Sequence, residues 1–369
     1  NYGTALEALE SEYGKKHFKV AQALNNMGTV YQAQGNYKQA KRMFEDALEM
    51  KIETLGANHE SVGYSHLTMA SYSQNEGKLD NALDHLNKAF DIFKQTKGET
   101  SLEVAAVYNN QGNIYLSQGK FREALEKYDL AIELKENELG HEHPKLASTY
   151  TSLGLASKRM GQYLEAIGHL NKALIIRKNH MGEEDLSVAN TLENIAMIEV
   201  EQGQMSEAYE NMSKVLKIRE KNLSISHPSF ITTYNNLGII LNHLNKKENS
   251  QDYFRKALRL VEDVHGKDHP MYAQLSINTI PNYDKENEAT NKESLEKYSK
   301  ILETLNKKYN GKHPEIAKIF NNIGVIEREM GKLQNAEKAF EKALQINIEI
   351  YGDIAHPSIA ACHNNLGLL

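Results

Sequence analysis

The side chains best suited to chemistry are fifteen histidines, one cysteine and a surplus of carboxylates. None falls into a catalytic spacing. Gly112 to Gly119-Lys120 has the wrong interval for a phosphate-cradling loop, and Phe121 stands where that loop needs Ser or Thr. His141 and His143 flank Glu142, but no further metal ligand lies nearby in sequence. A helix cap or a packing contact is the reading for these rings. Cys362 sits beside Ala360 and Ala361, a setting for a buried thiol rather than a nucleophile. The sequence thus predicts no catalytic set, no metal site, no cofactor and no enzyme.

What does recur is the carboxamide. Asn25-Asn26 returns as Asn109-Asn110, Asn235-Asn236, Asn321-Asn322 and Asn364-Asn365. Asparagine is a poor helix former because its amide competes for backbone hydrogen bonds. A pair kept inside a helical pattern therefore needs an offsetting role. One amide both donates and accepts, which is what a peptide backbone requires.

The elements that carry these amides are read from three combs. Gly14, Gly56, Gly98, Gly140 and Gly182 stand 42 residues apart; so do Gly35, Gly77, Gly119, Gly161 and Gly203, and Ala40, Ala82, Ala124, Ala166 and Ala208. Each unit reads as two helices. Leu24, Met27, Val30 and Tyr31 mark the first, over about residues 18–34; Ala40, Phe44, Ala47 and Leu48 mark the second, over about 37–55. Gly35 and Gly56 end them. His-Pro recurs before first helices at His143, His227, His269, His313 and His356, where proline's missing N–H costs nothing.

First helices are expected near 18, 60, 102, 144, 186, 228, 270 and 314. Residues 1–13 read as the second helix of a truncated preceding repeat. Residues 14–269 read as six regular pairs, the sixth weakened after 245. Residues 270–313 form a degenerate seventh repeat, 314–356 the eighth, and 357–369 the first helix of a truncated ninth. Both ends thus cut through a repeat, as in a segment of a longer chain.

Composition bounds the partners. A net charge of −6 argues against nucleic acid, which needs a basic face. No apolar run reaches the roughly 18 residues of a membrane span. A single cysteine forbids an internal disulfide and favours a reducing compartment, hence a cytoplasmic location.

"NNMGTVYQAQGNYKQAKRMFEDAL" carries Gly, Tyr, Gly, Tyr, Ala, Phe and Ala in the order of the tetratricopeptide repeat, which nearly the whole chain resembles. The 42-residue period resembles the long repeats of kinesin light chains and nephrocystin-3. The resemblance implies an all-α, right-handed superhelical solenoid of antiparallel helix pairs. First helices would line a concave groove that takes partner proteins as peptides or helices, short cargo motifs in the kinesin light chains.

On that family pattern the sixth position of each first helix faces the groove. It is filled by Asn26, Thr68, Asn110, Ser152, Asn194, Asn236, Asn278, Asn322 and Asn365. Two roles suit this ladder: bridging adjacent first helices, or gripping a partner's backbone. The fifth position varies through Asn25, Leu67, Asn109, Thr151, Glu193, Asn235, Ile277, Asn321 and Asn364, so selectivity is sought there. Lys158 and Arg159 form a small basic spot, with Glu193 and Glu201 an acidic one beside it.

Pro281 falls inside the seventh unit's first helix and Ile280 stands where glycine belongs, predicting a helix ending near Ile280 and a polar loop over about 282–292. Tolerated drift and a hinge both suit that zone. Three functions remain open: an adaptor with a peptide-binding groove, a structural subunit of a cytoskeletal or ciliary assembly, or the regulatory array of an enzyme lying outside this segment. Motor, ciliary or cytoskeletal components are the partners these readings imply.

Overall fold

The computed structural model describes residues 2–267, 269–280, 287–352 and 357–369. Packing divides the chain into two units, Asn1–Ile198 and Glu199–Leu369. The first holds α1 (Tyr2–Tyr13), α2 (Phe18–Ala33), α3 (Tyr37–Leu55), α4 (Glu60–Asn75), α5 (Leu79–Lys97), α6 (Leu102–Ser117), α7 (Phe121–Leu139), α8 (Pro144–Arg159), α9 (Tyr163–Met181) and most of α10 (Leu186–Glu201). The second holds α11 (Met205–Asn222), α12 (Ser229–His243), α13 (Lys247–His265), α14 (Pro270–Thr279), α15 (Glu288–Tyr309), α16 (Pro314–Glu329), α17 (Leu333–Tyr351) and α18 (Pro357–Gly367). Within each unit, helices pack on their neighbours in sequence, as expected of an all-α solenoid. No described helix is long and apolar enough to cross a membrane.

The connector histidines start the first helices. Nδ1 of His17, His59, His143, His227, His269 and His313 accepts a hydrogen bond from the backbone N–H two residues on, at distances from 3.1 to 3.3 Å. That bond satisfies a donor which the helix itself leaves unpaired. Ser101 and Asp185 do the same work in the two connectors without histidine. Between the helices of a pair, Gly35 turns the chain with φ at 76°. Asn245 takes the equivalent place in the sixth pair and holds φ at 59°, a conformation asparagine tolerates better than most residues.

Packing within a pair depends on complementary volumes. Ala40, Ala82, Ala124, Ala166 and Ala208 are fully buried. Ser250 follows them in the sixth pair, and its hydroxyl donates to the Gly238 carbonyl at 2.8 Å. Gly28 lies against the ring of Phe44, so closely that a Cβ there would come within 2.5 Å of Cε1. Gly112 against Tyr128, Gly238 against Phe254 and Gly324 against Phe340 repeat the arrangement. Where the residue opposite is Leu86 or Met212 instead, the small partner becomes Ala70 or Ala196.

The seventh repeat departs from this scheme. Helix α14 has 10 residues against 16 in α2, and Ile280 after it is extended, at φ −78° and ψ 126°. Extended backbone is what a residue preceding proline prefers. Ile280 stays buried with Ile277, Tyr298 and Ile316, filling by side chain what a glycine-based helix contact fills elsewhere. Pro281 and the residues to 286 lie outside the described residues. The expected polar loop over about 282–292 is corrected at its end: Asn287 Oδ1 accepts from the Thr290 N–H at 3.1 Å, and helix α15 begins at Glu288.

Candidate functional site

The sixth-position ladder is not one kind of site along its length. In the second unit its amides hold the helices together. Asn278 Nδ2 donates to Asn235 Oδ1 at 2.8 Å, and Asn365 Nδ2 donates to Asn321 Oδ1 at 2.7 Å. Each bond runs from the sixth position of one first helix to the fifth position of the preceding one. The fixed and variable positions are therefore partners. Where the fifth position is Ile277, which cannot accept, Asn322 Nδ2 turns to the Tyr298 hydroxyl at 3.2 Å. Asn236 is half-buried in this unit.

In the first unit Asn110 and Asn194 lack such a partner. Asn110 follows Leu67, and Asn194 follows Thr151, whose hydroxyl donates to its own helix at the Ala147 carbonyl. Asn26, Asn110 and Asn194 make no side-chain hydrogen bond among the described residues, and each keeps accessible surface: Asn26 is exposed, the other two half-buried. Thr68 Oγ1 donates back to Tyr64 O at 3.1 Å. Ser152 is half-buried, and the Tyr128 hydroxyl donates to Asn113 Oδ1 at 2.7 Å. Serine is too short to reach the preceding fifth position, and there Asn109 Oδ1 is buried without a hydrogen-bond partner among the described residues.

A bonded rung should contribute where a free one does not. Asn278→Ala is expected to cost about 1 kcal/mol by leaving the half-buried Asn235 amide without its donor. Asn110→Ala should be within about 0.5 kcal/mol of wild type. Hydrogen exchange of α12 and α6, respectively, measures both.

Lys158 and Arg159 lie in the last turn of α8, where positive charge complements the C-terminal end of the helix dipole. Arg159 is exposed and Lys158 half-buried. Cys362 is buried, 2% exposed, and accepts from Asn347 Nδ2 at 3.4 Å; burial pushes its thiol pKa up, away from reactivity. His66 and His85 meet Nδ1 to Nδ1 at 2.9 Å, and burial lowers both, His66 to about 4. No group of three or more metal-ligating side chains exists among the described residues.

A second ladder escaped the reading of the sequence. Lys51, Lys135, Arg177 and Arg219 stand at multiples of 42 residues near the ends of second helices, and each reaches a hydroxyl 14 residues on. Lys51 Nζ donates to Ser65 Oγ at 2.8 Å and Lys135 Nζ to Thr149 Oγ1 at 2.6 Å, while Arg177 and Arg219 donate to Thr191 and Thr233. Burial lowers the pKa of Lys51, of Arg177 and of Lys135, the last to about 8. Where the cation is absent the hydroxyl is absent too: Phe93 is matched by Val107 and Val261 by Leu275. The +14 pairing was visible in the sequence, but a lysine in a helix ordinarily reads as surface.

The family model for the tetratricopeptide repeat matches residues 1–53, 61–137, 103–179, 187–263, 290–349 and 315–369. The chain belongs to the tetratricopeptide repeat family. No curated protein matches this repeat protein's sequence. Among solved structures, the apo quorum sensor NprR from B. thuringiensis is similar, with a TM-score of 0.70 and 13% identity, covering 94% of this chain and 96% of that one. BtubC (BKLC) from P. vanneervenii has a TM-score of 0.55 and 18% identity over 63% of this chain and 92% of its own. A Podosopora anserina kinesin light chain-type protein with nearly identical TPR-like repeats has a TM-score of 0.50 and 22% identity over 56% and 98%. At these identities the likeness establishes the shared fold.

Proposed function

We propose that this tetratricopeptide repeat protein is a non-catalytic scaffold that binds a segment of a partner protein along the first helices of its first unit. The observation that supports this is the division of the ladder. Asn110 and Asn194 have no hydrogen-bond partner within the described chain, whereas Asn278, Asn322 and Asn365 are spent on internal bonds. Amides left free on first helices can meet the alternating donors and acceptors of an extended peptide. Lys158 and Arg159, at the edge of the same face, would favour an acidic residue in that peptide. The kinesin light chain-type period makes cytoplasmic cytoskeletal components the first partners to examine.

Affinity capture with the double variant Asn110→Ala/Asn194→Ala tests the reading. Its partner recovery should fall roughly tenfold, the equivalent of about 1.4 kcal/mol. Asn278→Ala/Asn322→Ala should lose stability and keep its partners. Undiminished recovery by a well-folded first-unit variant would move the binding site to another face.

A further inference from the structure

The outer stripe of α9 breaks a rule that the other second helices obey. Leu164, Gly168, Asn171 and Ile175 lie on one face at helical spacing, and Leu164 is 80% and Ile175 54% exposed. At the position of Gly168 the equivalent residues are Arg42, Asp84, Glu126, Glu210, Asp252 and Lys338, all charged. At the position of Ile175, Glu49, Asp91 and Glu133 precede it and Lys217 follows. One helix has exchanged a solvated charged face for an uncharged one with a glycine at its middle.

Nothing among the described residues packs against that glycine. Its φ is helical, and no heavy atom lies within 4 Å of where a Cβ would stand. A glycine in an exposed helix interior costs about 1 kcal/mol relative to alanine. The packed glycines Gly28 and Gly112 offset that cost by admitting a ring. Gly168 leaves that side of α9 open to close approach from outside.

We infer that α9 is a homodimer surface, taking the α9 helix of a second copy antiparallel across Gly168. The residues flanking the glycine are self-complementary about it. With the two Gly168 residues at the crossing point, Leu164 of each copy reaches the level between Asn171 and Ile175 of the other. Glu165 of each copy then stands on the same side as Lys172 of the other. A two-fold axis makes every such contact twice, so one favourable match becomes two. Glycine at the crossing lets the backbones approach closely enough for Leu164 to seat. Glu165 and Lys172 are both exposed, so the pairing requires no buried charge to be uncovered first.

Sedimentation equilibrium on the full chain tests this. Wild type should dimerise, and Leu164→Glu should weaken the dimer at least roughly tenfold with an unchanged helical circular dichroism spectrum. Gly168→Cys should form a disulfide-linked dimer on mild oxidation, since the two copies meet there and the native Cys362 is buried. Glu126→Cys, at the same position of α7, should not. A wild type that stays monomeric at every attainable concentration, a Leu164→Glu dimer as tight as wild type, or equal cross-linking of both cysteine variants would each overturn the inference. None of these substitutions touches the first-helix amides, so a failure here leaves the proposed partner face standing.

Discussion

Gly28→Ala is expected to destabilise the first helix pair by about 1–3 kcal/mol, the usual range for overpacking a tight core. The added methyl would stand 2.5 Å from Phe44 Cε1 and 2.7 Å from Cδ1, well inside van der Waals contact. Phe44 is 2% exposed and packed edge-on against Tyr72, so its ring has nowhere to go without disturbing the next repeat. The chain itself supplies the rescue. Ala70 and Leu86 occupy the same two positions one repeat later and are both buried. Gly28→Ala combined with Phe44→Leu should therefore cost less than the sum of the single changes. Hydrogen exchange of α2 and α3 reads the local effect, and additive costs would show that the glycine is not there for the ring.

The buried cation ladder carries the second large effect. Thr149→Val should cost about 2–3 kcal/mol, because the Lys135 ammonium keeps only its 3.5 Å contact with the Lys145 carbonyl. Lys135→Met together with Thr149→Val should be neutral or stabilising, since replacing both members of a buried polar pair by apolar groups removes the desolvation cost as well. The Phe93–Val107 and Val261–Leu275 positions are natural versions of that double change. The pH dependence has a definite sign. Burial depresses the folded pKa of Lys135 from 10.5 to about 8. Between those values the unfolded chain holds a proton that the folded chain has released. Lys135's contribution to stability therefore rises with pH through that window, and below about pH 8 it is constant. The wild-type minus Lys135→Met difference in urea midpoint, measured from pH 7 to 10, should trend upward. A flat difference would mean that the ammonium is better solvated than its 9% exposure implies.

The repeat, the helix pairs and their turns were legible in the sequence because each rests on local chemistry. The glycine combs mark backbone with positive φ, the His-Pro connectors mark caps, and the alanine comb marks close contact within one pair. Asn245 shows how far that logic reaches: it looks like a lost glycine, yet it takes the same left-handed turn. The extended backbone at Ile280 follows equally from the proline after it.

The candidate site was only half legible. The sequence by itself determined that Asn26, Asn110, Asn194, Asn278, Asn322 and Asn365 share one position of one helix, since helical phase follows from periodicity. Which of them are free was decided by tertiary structure. Asn278 is engaged because Asn235, 43 residues away, brings an acceptor to it; Asn110 is free because Leu67 brings none. Lys135 is the same case in the core. Its residue type predicts a solvated surface, and only the stacking of α7 against α8 puts its ammonium on Thr149. A period reports where a side chain sits on its own helix. Whether that side chain finds a donor, an acceptor or open solvent depends on the next helix, and that is settled only when the two pack.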